Sequence, residues 1–131
     1  MPIRFIIIDN DPVNNLLCTL TIRDVQDAAE IQTFNSPVNG FKYLAEKHAD
    51  TNNHTVLLLD INMPAWSGWD FLDNFEKLDD KIKKQTKIYI LSSSIDVNDK
   101  HRAGENKNVM DYIEKPLSEK TVLSMLDQKW M

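Results

Sequence analysis

The sequence predicts an α/β protein whose parallel sheet is covered by helices on both faces. Short apolar runs alternate with segments in which apolar residues recur at helical spacing. Short runs that are apolar throughout are typical of strands buried on both sides, as in a parallel sheet. Four of these runs end in polar residues: Ile6-Ile7-Ile8-Asp9-Asn10-Asp11, Val56-Leu57-Leu58-Leu59-Asp60, Ile88-Tyr89-Ile90-Leu91-Ser92 and Tyr112-Ile113-Glu114-Lys115-Pro116.

The remaining elements follow in order along the chain. A fifth short strand is predicted from Glu30 to Phe34, and a fourth helix from Asp96 to Ala103 that stops at Gly104. The lysine-rich segment from Lys81 to Lys87 is predicted to be a solvated loop. The residues predicted to face the core are Val13, Leu16, Leu17 and Leu20 in the first helix, Val38, Phe41, Leu44 and Ala45 in the second, Trp69, Leu72, Phe75 and Leu78 in the third, and Val122, Leu123, Leu126 and Trp130 in the fifth.

Five strand–helix alternations indicate a doubly wound sandwich, because right-handed crossovers leave few other topologies. We expect the flavodoxin-like (βα)5 arrangement with strand order 2-1-3-4-5, in which the first and third strands are neighbours. Ligands of such sheets bind beyond the carboxyl ends of the strands. Asp9 and Asp60, which follow the first and third strands, are therefore predicted to lie side by side at the binding edge.

Composition limits the possible partners and location. The 131 residues suit one domain, and the net charge of -5 is unsuited to phosphate backbones, so we expect no nucleic-acid partner. No apolar stretch approaches the roughly 20 residues of a membrane helix, and no signal peptide is visible. The single cysteine, Cys18, is expected to be a buried core residue in a reducing compartment. A cytoplasmic location without membrane contact is the resulting expectation.

The polar motifs together resemble the receiver domain of two-component response regulators over essentially the whole chain. The strongest is Asp60-Ile61-Asn62-Met63-Pro64, directly behind an apolar strand, with Gly68 four residues after the proline. Asp9-Asn10-Asp11-Pro12, Ser92 and Lys115-Pro116 follow in the family's order. Because the chain ends soon after the fifth helix, we expect a stand-alone receiver over residues 1–131 with no output domain.

The resemblance implies a role for each site residue. Asp60 is the expected phosphoacceptor, and its partner is a sensor histidine kinase or a histidine phosphotransfer protein. The residues expected to hold Mg²⁺ are Asp9, Asn10, Asp60 and Asn62, the last through its backbone carbonyl. Those expected to contact or sense the phosphoryl group are Ser92, Lys115 and Tyr112. In this family the Lys-Pro bond is cis, so Pro116 is expected to follow a cis peptide bond.

These residue types suit phosphoryl transfer, which depends on positioning and charge neutralisation. Crowded carboxylates repel one another, and a hard cation such as Mg²⁺ relieves that repulsion. The resemblance further implies signalling through a conformational change of the face made by the fourth helix, fifth strand and fifth helix, read by a downstream protein. No turnover of an external substrate is expected, apart from autodephosphorylation.

Three departures from the family pattern stand out. The family usually has an acid at position 10, where this chain has Asn10, so Mg²⁺ binding is expected to be weaker. The segment from Glu105 to Asn108 lengthens the connection to the fifth strand. Trp66 is unusual beside such a site and would either pack on the edge or contact a partner. Three consecutive serines, Ser92-Ser93-Ser94, also leave open which one is the sensing residue, although Ser92 matches the motif.

Two alternative functions fit part of the sequence. A receiver-like interaction module with weakened phosphorylation is supported by Asn10 alone. A haloacid dehalogenase-type phosphatase would use Asp9 as nucleophile in Asp9-x-Asp11. That family, however, continues with Gly-Thr or similar, where this chain has Pro12-Val13, and it leaves the motif at Asp60 unexplained.

Overall fold

The computed structural model describes residues 3–47, 54–64 and 66–128, and in this part of the chain five strands alternate with six helices. The strands are β1 (Ile3–Ile8), β2 (Glu30–Phe34), β3 (His54–Leu59), β4 (Thr86–Ser92) and β5 (Val109–Glu114). The helices are α1 (Pro12–Val25), α2 (Pro37–Lys47), α3 (Gly68–Phe75), α4 (Asp80–Gln85), α5 (Val97–Glu105) and α6 (Glu119–Leu126). No helix among these residues is long and apolar enough to cross a membrane.

All strand pairs are parallel, and the sheet order is β2-β1-β3-β4-β5. This confirms the predicted fold and order. Ile8 pairs with Leu59 and Ser92 pairs with Glu114, so β1 ends level with β3 and β4 ends level with β5, while β4 runs two residues beyond the Leu59–Ile90 pair. The polar residues that follow these positions consequently meet at one edge of the sheet.

Two hydrophobic layers cover the sheet. One lies under α2, α3, α4 and α5 and includes Ile6, Leu57 and Phe71; the other lies under α1 and α6 and includes Phe5 and Val56. Neighbouring residues of one strand point to opposite faces, so each central strand contributes to both layers. This explains why the central strands are apolar throughout.

The predicted inner face of α1 is wrong. Val13, Leu16, Leu17 and Leu20 expose between 52% and 62% of their surface. The buried residues of this helix are Asn14, Asn15, Cys18 and Ile22. The helix is rotated because both asparagines hydrogen-bond to Asp9, and such bonds offset the cost of burying their amides.

Of three other residues predicted to face the core, two are exposed and one lies outside the described residues. Val38 in α2 and Leu123 in α6 are exposed rather than buried. In α6 the second inward position is Met125 instead. Trp130 lies outside the described residues.

The thiol of Cys18 is buried as predicted. Burial first, and then the charge of Asp9, raises its pKa to about 11, so this thiol is a poor nucleophile.

The lysine-rich segment is not a loop: Lys81 to Gln85 belong to α4, and Lys87 lies in β4. Ile82 is buried against the core, and the Lys83 ammonium donates to the carbonyl of Glu76 at 3.0 Å. One apolar residue among lysines gives no helical stripe, which is why periodicity did not reveal this turn of helix. The next helix, α5, also continues past Gly104, which therefore does not end it. The predicted signalling face corresponds to α5, β5 and α6.

Candidate functional site

Asp9 and Asp60 lie side by side where β1 and β3 end. The backbone N–H of Asp60 donates to the carbonyl of Ile8 at 3.0 Å, which extends the pairing by one residue. Both carboxylates are buried, with exposures of 2% for Asp9 and 5% for Asp60. Two buried acids this close need compensating positive charge or hydrogen bonds.

Lys115 supplies the compensating charge from the end of β5. Its backbone N–H donates to the carbonyl of Ser92 at 2.9 Å, and its ammonium lies 2.7 Å from Oδ2 of Asp9 and 3.9 Å from Oδ2 of Asp60. Burial opposes this charge, but the hydrogen bond to Asp9 and the nearby carboxylates outweigh burial and raise the pKa of Lys115. The Lys115-Pro116 peptide bond is cis, as the resemblance predicted.

Asp9 accepts three hydrogen bonds on its carboxylate. Besides Lys115, the side-chain amide of Asn14 donates to Oδ2 at 2.8 Å, and the backbone N–H of Asp11 donates to Oδ1 at 2.9 Å. Asn14 was not among the residues predicted for the site. The sequence offers one signal for it: Asn14 lies four residues before Cys18 and eight before Ile22, so the three side chains fall on one face of the helix.

Asp60 is the more weakly compensated carboxylate. Its Oδ1 accepts the backbone N–H of Asn62 at 3.3 Å, and Lys115 is more distant from it than from Asp9. Burial first, and then the negative charge of Asp9, raises the pKa of Asp60, while Lys115 acts in the opposite direction. The surroundings of Asp60 therefore disfavour its charged form.

Among the three serines, Ser92 is the one at the site. It is fully buried at the end of β4, and its hydroxyl oxygen accepts the side-chain amide of Asn62 at 3.5 Å and the backbone N–H of Ser94 at 3.1 Å. Ser93 is exposed. The hydroxyl of Ser94 is directed instead to Asp99 in α5, at 2.8 Å.

Tyr112 lies half-buried on β5 and packs against the core layer under α5. Its hydroxyl donates to the carbonyl of Ser94 at 2.8 Å. Because Ser94 also contacts Ser92 and Asp99, one short loop joins the site to Tyr112 and to α5. Tyr112 is thus connected through Ser94 to Ser92 by two hydrogen bonds.

The side chains that remain at this edge are largely turned to solvent. Asn10 is exposed, and Asp11 caps α1 by accepting the backbone N–H of Val13 at 3.0 Å. Trp66 packs on the edge of the fold, with ring centroids 5.6 Å from Phe41 and 6.1 Å from Phe71. This packing on the edge is one of the two roles expected of Trp66.

The donor set fits Mg²⁺. Two buried carboxylates stand together with only one ammonium between them, and Mg²⁺ is usually held by one or two carboxylates together with waters and phosphate oxygens. Within residues 3–47, 54–64 and 66–128, no group of three or more His, Cys, Asp or Glu residues could hold a metal. A site of this kind must therefore draw on amide, carbonyl or water oxygens as well.

Comparison with known proteins identifies the family. The model of the response regulator receiver domain matches residues 5–127. A two-component response regulator from Cytophaga hutchinsonii shares 29% identity over 96% of this chain and 95% of its own, with a TM-score of 0.88. A receiver protein from Dyadobacter fermentans, at 24% identity over 95% and 94% of the two chains, and a receiver domain from Rhodospirillum rubrum, at 21% over 97% and 96%, show the same fold with TM-scores of 0.85 and 0.80. A search of curated proteins gave no match. The chain belongs to the response regulator receiver domain family of two-component signalling.

Proposed function

We propose that this receiver accepts a phosphoryl group on Asp60 from a phosphohistidine of a sensor histidine kinase or histidine phosphotransfer protein. The observation that carries the proposal is the pair of buried carboxylates, Asp9 and Asp60, with the Lys115 ammonium 2.7 Å and 3.9 Å from them. Asp60 is the acid with the more distant lysine and the raised pKa. Its carboxylate is therefore the one less engaged with Lys115, and the negative charge that the phosphoryl group adds would fall beside that ammonium.

The transfer of the phosphoryl group from histidine to Asp60 needs no further reactant. A carboxylate oxygen of Asp60 forms a bond to phosphorus, the bond from phosphorus to the imidazole nitrogen breaks, and the electron pair stays on that nitrogen. The product is an acyl phosphate. Lys115 then faces phosphoryl oxygens and keeps a compact positive charge beside them.

Mg²⁺ would be held by Asp9, Asp60, the backbone carbonyl of Asn62 and the amide oxygen of Asn10. When bound, it would neutralise charge on the phosphoryl oxygens and reduce the repulsion between the two carboxylates. An amide oxygen at position 10 brings no formal charge, so affinity is expected to be lower than with an acid there.

The signal would leave through Ser92 and Tyr112. The hydroxyl hydrogen of Ser92 can donate to a phosphoryl oxygen, and a hydrogen bond to a charged group contributes about 1.5–3 kcal/mol. Moving Ser92 would pull on Ser94, which holds Tyr112 at 2.8 Å and α5 through Asp99 at 2.8 Å. The face formed by α5, β5 and α6 would then change and be read by a downstream protein.

Treatment with acetyl phosphate and Mg²⁺, followed by intact-mass and peptide-mapping spectrometry, tests the proposal. We expect one added phosphoryl group on Asp60, lost in Asp60→Asn and absent without Mg²⁺. An unlabelled wild-type protein would contradict phosphorylation. A label on Asp9 would indicate phosphatase-type chemistry, for which the family match gives no support.

The alternative of an interaction module with weakened phosphorylation rests on Asn10. This side chain is exposed at the edge of the site and leaves two carboxylates there. Mg²⁺ titration of wild type and Asn10→Asp, followed by Trp fluorescence, measures the effect. Tighter binding and faster labelling of the variant would show that Asn10 limits the reaction, whereas equal affinities would remove the only support for this alternative.

A further inference from the structure

Asn14 is a buried amide that contacts the carboxylate of Asp9. It sits in the first turn of α1, 8% exposed, and its Nδ2 donates to Oδ2 of Asp9 at 2.8 Å. The same oxygen accepts Lys115 at 2.7 Å. Burying a polar side chain in place of one of the neighbouring leucines is costly unless its hydrogen bond serves the fold or the site.

The hydrogen bonds to Asp9 determine how its carboxylate is oriented. A carboxylate offers about four lone-pair positions, and Asn14 and Lys115 occupy two on Oδ2 while the backbone of Asp11 occupies one on Oδ1. Free acceptor capacity is left on Oδ1. A carboxylate held by donors on both oxygens cannot rotate to pair fully with Lys115.

We propose that Asn14 is a positioning residue that fixes Asp9 for a divalent cation. This inference rests on the proposed function and assigns a role to a side chain outside the predicted ligand set. The partners that orient metal ligands affect affinity strongly, and their loss typically costs 10- to 100-fold. Asn14 matters more here because Asn10 adds no charge to the site, so that among the described residues the buried carboxylates at the site are those of Asp9 and Asp60.

The test is a Mg²⁺ titration of the full chain followed by amide NMR, which does not depend on phosphorylation. We expect Asn14→Leu to lower Mg²⁺ affinity by about 10-fold. At saturating Mg²⁺ the rate of Asp60 labelling by acetyl phosphate should return close to that of wild type, since Asn14 acts through Asp9. Asn14→Ala removes the same amide without adding bulk and gives the same result if leucine disturbs folding.

Asn15→Leu is the matched control. Asn15 is 7% exposed in the same helical turn, but its amide donates to the backbone carbonyl of Asp9 at 3.0 Å and not to the carboxylate. We expect it to lower stability while Mg²⁺ affinity stays within about twofold of wild type. Equal affinities for wild type and both Asn14 variants, or an equal loss in Asn15→Leu, would overturn the role of Asn14. Labelling of wild-type Asp60 is measured separately and decides the proposed function.

Discussion

Replacing Gly68 by alanine tests how closely α3 approaches the site. A Cβ at this position would lie 2.7 Å from the carbonyl oxygen of Asp60, 2.7 Å from Cα of Ile61 and 3.0 Å from Cγ2 of Ile61. Two of these three atoms belong to the backbone, so a side-chain rotation cannot relieve the contact. Either α3 moves outward or the segment that carries Asp60 moves.

The expected magnitude follows from two opposing terms. Overpacking of this kind costs about 1–3 kcal/mol. Alanine in a helix gains about 0.5–1 kcal/mol over glycine, which offsets part of that cost. We therefore expect Gly68→Ala to lower the free energy of unfolding by about 1 kcal/mol, and by about 2.5 kcal/mol at most, and to slow labelling of Asp60 by acetyl phosphate.

Gly104→Ala is the matched comparison. This glycine lies in α5, and a Cβ there meets nothing within 4 Å. The helix-propensity gain is then unopposed, and we expect stabilisation by about 0.5–1 kcal/mol with normal labelling. Urea unfolding followed by Trp fluorescence, with unchanged m-values, measures both. Changes of the same sign in the two variants, or normal stability and labelling in Gly68→Ala, would refute this account of the close approach.

Three further predictions concern α1 and two carboxylates. Leu17 is exposed and Ile22 is fully buried, so Leu17→Ser should change the free energy of unfolding by less than about 0.5 kcal/mol, whereas Ile22→Ala should lower it by about 2–5 kcal/mol. If urea unfolding gave the reverse order, the helix face predicted from the sequence would be correct. Burial and a neighbouring carboxylate raise the pKa of Asp60, so its ionisation destabilises the fold. Without Mg²⁺, Asp60→Asn should therefore be more stable than wild type at neutral pH. In thermal melts this gain should vanish as the pH falls below about 3.8. A hydrogen bond from Asn108, then one from Lys107, and the charges of Lys107 and Lys83 lower the pKa of Glu76 to about 2. Glu76→Gln should therefore lose stability at neutral pH, with the difference fading between about pH 4.5 and pH 2, and a difference independent of pH would contradict the cause.

The sheet was predictable because period-two burial and parallel pairing leave little choice for apolar runs. The strand order and the meeting of Asp9 with Asp60 followed from topology alone. The face of α1 was not predictable by counting apolar residues, because Leu16 and Leu17 outweigh the polar residues on any hydrophobicity scale. The orientation of the helix reflects the hydrogen bonds of Asn14 and Asn15 to Asp9, which are contacts between two elements that a single-helix pattern does not contain.

The extended connection before β5 shows a similar limit. Lys107 and Asn108 lie there, and both bind the Glu76 carboxylate near the end of α3, at 2.9 Å and 2.5 Å. Lys83 of α4 joins the same carboxylate at 3.6 Å. The longer connection and α4 therefore both bind one carboxylate, that of Glu76, which follows the end of α3 opposite to Gly68 and the site.

The two asparagines near the start of α1 change the electrostatics of the site in a connected way. With Asn10 in place of an acid, Asp9, Asp60 and Lys115 sum to a formal charge of -1, where an acid at position 10 would give -2. Less negative charge weakens the attraction of the site for a cation. It also reduces the repulsion among the site carboxylates in the folded protein when no cation is bound. An amide donor on Asp9 adds orientation without adding charge. The site therefore depends on the geometry of Asp9 as well as on the number of its carboxylates, and cation affinity should respond to Asn14 as well as to an acid at position 10.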